Sequence, residues 1–146
     1  MGKDALADVY KHTEVFFCNV EEAQKILSVT SHDVKALMKS IAALGPKKVF
    51  ITDGIEGAYA FDGTDSWFMP VYPHKPYERT GAGDAFASTV VSALAMGKST
   101  EEALTWGPIN SMSVVQQIGA QKGLLTRDHL EDFLKKAPED YKPQKI

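Results

Sequence analysis

Two periods alternate along the chain. Val15-Phe16-Phe17-Cys18 and Val49-Phe50-Ile51 are unbroken apolar runs of strand length, the pattern of strands covered on both faces. Ahead of the first, Ala5, Leu6, Val9 and Tyr10 have the spacing of a short amphipathic helix. Between the two strands, Asn19-Val20-Glu21-Glu22 opens a helix running to about Leu27. A second helix is predicted from near Thr30, with Asp33 at capping-box distance. Its apolar positions are Val34, Leu37, Met38, Ile41 and Leu44, and Gly45-Pro46 ends it. After the second strand, Asp53 to Gly57 turns the chain. Residues 58–61 and 67–69 then read as a hairpin across Asp62-Gly63-Thr64-Asp65. Pro70, Pro73 and Pro76 stiffen the connection that follows.

From Ala85 to Met96 the chain is apolar on nearly every face, which predicts a buried helix stopped by Gly97. Ser99 with Glu102 forms a capping box for another helix, which Gly107-Pro108 should kink or interrupt. Apolar positions resume at Met112, Val114, Val115 and Ile118, and residues 119–123 form a loop. A last amphipathic helix begins near Thr126, carries Leu130, Phe133 and Leu134, and gives way to Pro138 and a polar tail. Strands alternating with helices predict an α/β fold, a mainly parallel sheet flanked by helices on both faces with a small β-hairpin. Ligands in such sheets sit beyond the carboxyl ends of the strands. That rule gathers Asn19 and Glu22 after one strand, and Thr52, Gly54 and Gly57 after the next.

Thr80-Gly81-Ala82-Gly83-Asp84 feeds the apolar helix from a glycine turn. A helix start leaves backbone N–H groups without partners at the positive end of the helix dipole, and such an end binds anions. Asp84 would stand beside a bound phosphate, where a carboxylate repels unless it has work to do. General-base removal of a proton from an attacking hydroxyl is one such task. The other reading is a helix capped by Asp84, with Gly81 and Gly83 making a tight turn.

Composition narrows the field only modestly. The 146 residues give room for one domain with a core, are 44% hydrophobic and 24% charged, and carry a net charge of −3. That balance argues against nucleic acid as the main partner. The lone Cys18 excludes an internal disulfide and fits a reducing compartment. No apolar run approaches the roughly 18 residues of a membrane span, and no signal peptide is visible, so a cytoplasmic location is expected. Gly97-Lys98-Ser99 resembles the end of a P-loop, but Ser92 stands five residues before Gly97 and a helix precedes it. A dinucleotide fingerprint fails because Phe86 occupies its third glycine site. His12, His32, His74 and His129 show no metal-ligand spacing with Cys18 and read as surface residues.

Three motifs in register carry a resemblance. Thr80-Gly81-Ala82-Gly83-Asp84-Ala85-Phe86 closely resembles the C-terminal signature of the PfkB carbohydrate kinases, the ribokinase-like family. Asn19-x-x-Glu22 is similar to that family's Asn-x-x-Glu motif, and Thr52-x-Gly54-x-x-Gly57 to its nucleotide-binding turn. The resemblance implies ATP-dependent phosphorylation of a sugar or nucleoside hydroxyl. Asp84 would be the base, with the backbone of Gly81, Ala82 and Gly83 as anion hole. Glu22 would help hold Mg²⁺ through water, and Asn19 would approach the phosphates. Thr52, Gly54, Gly57 and Thr80 would line the nucleotide, and Asn110 matches a position near the adenine. Glu22 also reads as a solvated helix residue, and Thr52 as a plain strand end.

Two departures qualify the likeness. Glu78-Arg79 stands where relatives carry Asp-Thr, an Asp that often belongs to a monovalent-cation site, so cation activation is left open. The match also covers only the C-terminal half of a family member, so residues 1–146 are expected to be its nucleotide-binding, catalytic-base portion. The sugar-binding and lid portion would be absent, the fragment alone inactive, and self-association, as in a homodimer, expected at a bare sheet edge. The rival reading is a non-catalytic ATP-binding module, or a truncated scaffold that needs a partner chain.

Overall fold

The computed structural model describes residues 3–75, 80–119 and 121–146. After a 3-10 turn at Lys3–Leu6 come α1 (Ala7–Lys11), β1 (Val15–Asn19), α2 (Val20–Leu27), α3 (Val34–Ala42) and β2 (Lys48–Thr52). Then follow β3 (Ala58–Phe61), β4 (Ser66–Met69), α4 (Ala82–Ala95), α5 (Thr100–Val115), α6 (Arg127–Lys135) and β5 (Gln144–Lys145). Two compact units result, Met1–Phe68 with Gln144–Ile146, and Met69–Pro143.

The first unit is built on a five-stranded sheet in the order β1-β2-β3-β4-β5. β1 and β2 are parallel, with Phe16 beside Val49 and Asn19 beside Thr52. Parallel neighbours need a crossover, and α2 with α3 supplies it. β2 pairs antiparallel with β3, and β4 with β5. The α/β class therefore holds, but the sheet is not mainly parallel among the described pairings. For β2 and β3 the reason is the short connection between Thr52 and Ala58, which has no room for a crossover helix. Alternation along the strands puts Phe16 and Cys18 on the same face as Val49 and Ile51. These pack with Val20, Ala23, Val34, Leu37, Met38 and Ile41 of the two helices into one buried cluster. Fully burying a side chain of this kind contributes about 1.5–3 kcal/mol, so this face holds α2 and α3 in place.

Helix α3 starts later than its sequence suggests. Asp33 is its N-cap, accepting from Ala36 N–H at 3.0 Å. Residues before it are drawn into a loop, where the Gln24 amide donates to the Ser31 carbonyl at 3.0 Å. The C-terminal end also departs from expectation. Gln144 and Lys145 are a strand rather than polar tail, lying beside Phe68 and Trp67. Lys145 Nζ is 2.8 Å from Asp65, and Ile146 N–H donates to the Ser66 carbonyl at 2.9 Å.

In the second unit α4 lies against α5. Its buried face is Ala85, Phe86, Thr89, Val90 and Ala93, whereas Val91 and Met96 are 47% and 45% exposed. The helix is thus covered on one side, not all round. Close approach to α5 depends on Gly107: a Cβ there would lie 2.5 Å from the Phe86 ring and 3.0 Å from Val90 Cγ2. α5 continues without interruption through Pro108, although an interior proline costs a helix about 3 kcal/mol. The fully buried Leu104 and Ile109 on either side of it show how the helix is held. Tyr72 donates to the Phe133 carbonyl at 3.2 Å, and Tyr141 to the Thr105 carbonyl at 2.7 Å. The two rings meet edge-on with centroids 4.9 Å apart, tying the flanking segments to α5 and α6.

Candidate functional site

Within the first unit the carboxyl ends of β1 and β2 lie side by side, because Asn19 and Thr52 are register partners. Asn19 is the N-cap of α2 in an extended conformation, and Glu22 is its third helical residue. Asn19 Oδ1 accepts from Glu22 N–H at 2.8 Å, while Glu22 Oε2 accepts from Asn19 N–H at 2.9 Å. The Asn-x-x-Glu spacing is therefore a complete capping box. Beneath it Cys18 is buried, and its thiol is pushed up to about 12 by burial first and by the Glu22 charge second. A thiol so held does not ionise near neutral pH and acts as a packing group.

After Thr52 the chain turns through a short 3-10 segment, Gly54–Glu56. Gly54 has φ +57 and Gly57 φ +126, conformations that side chains with a Cβ adopt only at a cost. The spacing of the two glycines is thus set by the backbone. Asp53 N–H donates to the Gly57 carbonyl at 2.9 Å and closes the turn. Sequence reasoning passed over one contact here: His32 Nε2 lies 2.8 Å from Asp53 Oδ2. The histidine is largely exposed, as expected, but it joins the loop before α3 to this turn.

The second unit holds the glycine signature at the start of α4. Gly81, in the left-handed region at φ +83, is the N-cap. Ala82, Gly83 and Asp84 are the first three helical residues, and Thr80 is exposed just ahead of them. Among the described residues, no side chain accepts from the N–H groups of those three, whereas Ala85 N–H already bonds the Gly81 carbonyl at 2.9 Å. Donors, dipole and space for an anion coincide here. Asp84 is exposed, and a Cβ on Gly83 would meet nothing within 4 Å. The turn is therefore less crowded at Gly83 than a tight glycine turn suggests.

Asn110 is 5% exposed. Its Nδ2 donates to Thr89 Oγ1 at 2.7 Å, and its Oδ1 accepts from Leu125 N–H at 3.0 Å. Both ends of the amide are thus used inside the unit. Ser111, which sequence reasoning missed, donates to the Ala82 carbonyl at 2.7 Å and reaches the signature turn from α5. Sequence gives no signal for it, since a serine in a helix is unremarkable until a partner 29 residues away is known. Glu78-Arg79 lies outside the described residues.

No three His, Cys, Asp or Glu side chains among the described residues gather into a metal-holding group. Glu22 has one carboxylate oxygen committed to its cap. No helix among the described residues is long and apolar enough to cross a membrane.

A capping box after β1, a glycine turn after β2 and, in the second unit, a helix started on glycine are the features to be matched. The chain belongs to the pfkB carbohydrate kinase family: the model for "pfkB family carbohydrate kinase" matches residues 2–127. It is 34% identical over 113 residues to ribokinase of Bacillus subtilis (strain 168), covering 74% of this chain and 39% of that protein. It is 30% identical over 119 residues to cytidine kinase of Thermococcus kodakarensis, covering 80% and 42%. In fold it is similar to Arabidopsis thaliana ribokinase complexed with ribose and ATP, with a TM-score of 0.81 and 24% identity over 88% of this chain and 43% of that one. The chain thus spans about two fifths of the length of these relatives.

Proposed function

We propose that residues 1–146 are the nucleotide-binding, catalytic-base portion of a kinase that moves the γ-phosphoryl group of ATP to a sugar or nucleoside hydroxyl. The observation that carries this reading is the bare start of α4, with three backbone donors and an exposed carboxylate in one turn. Family membership and the ribose and ATP named with the Arabidopsis relative support it. Asp84 takes the proton of the acceptor hydroxyl as that oxygen attacks the γ-phosphorus. The bond to the β–γ bridging oxygen breaks, and ADP leaves. The backbone N–H groups of Gly81, Ala82 and Gly83 receive the charge that collects on the phosphoryl oxygens.

In the first unit, Thr52, Gly54 and Gly57 serve the nucleotide and Asn19 its phosphates; in the second, Thr80 and Asn110 are assigned to the nucleotide as well. For Asn110 the buried amide network favours support over direct contact. Glu22 helps to hold Mg²⁺ through water, and the ion's chemistry is charge neutralisation on the phosphates. Acceptor choice and shielding from water lie with a portion of the enzyme outside these residues. Alone, the chain binds Mg·ATP and phosphorylates no sugar. β1, at the edge of its sheet, then favours self-association. Light scattering at micromolar concentration reads that association directly.

The test is turnover in a form that includes the acceptor-binding portion, followed by coupled ADP release over sugars and nucleosides. Asp84→Asn should lower turnover by about 10²–10⁴-fold with little loss of ATP affinity. Near-wild-type turnover removes Asp84 as base. A chain that binds ATP yet gives no acceptor-dependent turnover in any such form favours the binding-module reading.

A further inference from the structure

The first turn of α4 is a poor helix on its own. Gly81 supplies no capping side chain, and Gly83 follows within the turn. A glycine cap offers no side-chain acceptor, and a second glycine leaves the first turn more backbone freedom, so little in these residues themselves holds the start helical. Yet the turn is helical, and what reaches it comes from α5. Ser111 Oγ donates to the Ala82 carbonyl at 2.7 Å. One turn on, Thr89 Oγ1 donates to the Ala85 carbonyl at 2.7 Å and itself accepts from Asn110 Nδ2 at 2.7 Å. The carbonyls of the start thus take side-chain hydrogen bonds from within the unit, that of Ala85 also from Ser88 Oγ at 3.2 Å, while among the described residues no side chain accepts from its first N–H groups.

In each peptide unit the C=O and N–H point in opposite directions, so fixing one aims the other. The Ala82 carbonyl shares its peptide with the Gly83 N–H. We propose that Ser111 is a positioning residue for this turn: by holding the Ala82 carbonyl it keeps the uncapped start helical and the Gly83 N–H turned outward to receive an anion. The hydrogen bond also polarises that peptide, which strengthens its N–H as a donor. The inference rests on the reading of residues 81–84 as the ATP phosphate site. Ser111 touches no reacting atom and acts through the backbone alone.

The experiment compares Ser111→Ala and Ser111→Thr with wild type in the 146-residue chain, by amide hydrogen exchange and by calorimetric titration with Mg·ATP. Ser111→Ala should speed exchange at Ala85 and Phe86 and weaken Mg·ATP by about two- to tenfold, the worth of one hydrogen bond. Exchange near Ala93 should stay as it was. Ser111→Thr, which keeps the hydroxyl, should restore both. Unchanged exchange at Ala85 overturns the clamp itself. Faster exchange with unchanged ATP affinity makes Ser111 merely structural and overturns its positioning role. A wild-type chain that binds no Mg·ATP overturns the phosphate-site reading, and the role falls with it, whatever the exchange shows.

Discussion

Helix α2 begins with its donors answered by its own side chains, whereas among the described residues no side chain accepts from the first N–H groups of helix α4. At α2 the Asn19 and Glu22 side chains each take the other's N–H. The same reciprocal box recurs at α5, where Ser99 Oγ accepts from Glu102 N–H at 3.1 Å and Glu102 from Ser99 N–H at 2.9 Å. That second box carries no functional assignment, and its Glu102 carboxyl is held low chiefly by the Ser99 N–H bond. Asn19-x-x-Glu22 therefore has a sufficient structural reason to exist, and any phosphate or metal duty is added to it. At α4 the left-handed φ of +83 asks for glycine at Gly81, and glycine brings no capping oxygen, so among the described residues no side chain answers the first N–H groups.

The contrast breaks most forcefully from behind α4. Gly107→Leu drives a side chain into Phe86 and Val90, where even a Cβ already clashes, and should cost about 1–3 kcal/mol of stability. Denaturant unfolding reads the cost. Amide spectra should shift across residues 81–90 and stay in place at Asn19 and Glu22. A disturbance equal at both starts would show that the two are not independent.

Next in size are the caps. Asn19→Ala and Ser99→Ala should each lose about 1 kcal/mol, since each removes one capping oxygen of the same kind. Only Asn19→Ala should also weaken Mg·ATP, by about two- to tenfold if one hydrogen bond to phosphate is lost. Equal stability loss with ATP affinity untouched in both would reduce Asn19 to a cap.

Much of this molecule was legible from its apolar spacing. β1, β2, the hairpin of β3 and β4, and the faces of α3 and α6 follow from period and turn residues alone. The misses have local causes. Alternation of strands and helices predicts parallel pairing, but the connection from β2 to β3 is too short to cross over. Thr30 was taken as a helix start because nothing in sequence reveals that Gln24 bonds the Ser31 carbonyl. Gly107-Pro108 predicts a kink or an interruption of α5, and the helix runs on through Pro108 between the buried Leu104 and Ile109. β5 is two polar residues paired to β4, below any periodic signal. At the site, the motifs pointed to the right turns, but their support was invisible. His32 on Asp53, Asn110 on Thr89 and Ser111 on Ala82 are pairs 21 or 29 residues apart that only the fold discloses.

The central claim, that the start of α4 is left bare in order to take an anion, is tested most directly at Gly83. A Cβ there meets nothing within 4 Å among the described residues, and alanine is the better helix former by about 0.5–1 kcal/mol. Gly83→Ala should therefore raise the melting temperature by about 2–4 °C. If phosphate approaches that backbone, the added methyl crowds it, and Mg·ATP affinity should fall on the order of tenfold, within the 1–3 kcal/mol range of an overpacked contact. Calorimetric titration beside a melting curve gives both numbers on one sample. A more stable chain that binds Mg·ATP less well is the predicted result. A more stable chain with unchanged affinity would contradict the account and make the glycine turn an element of fold alone.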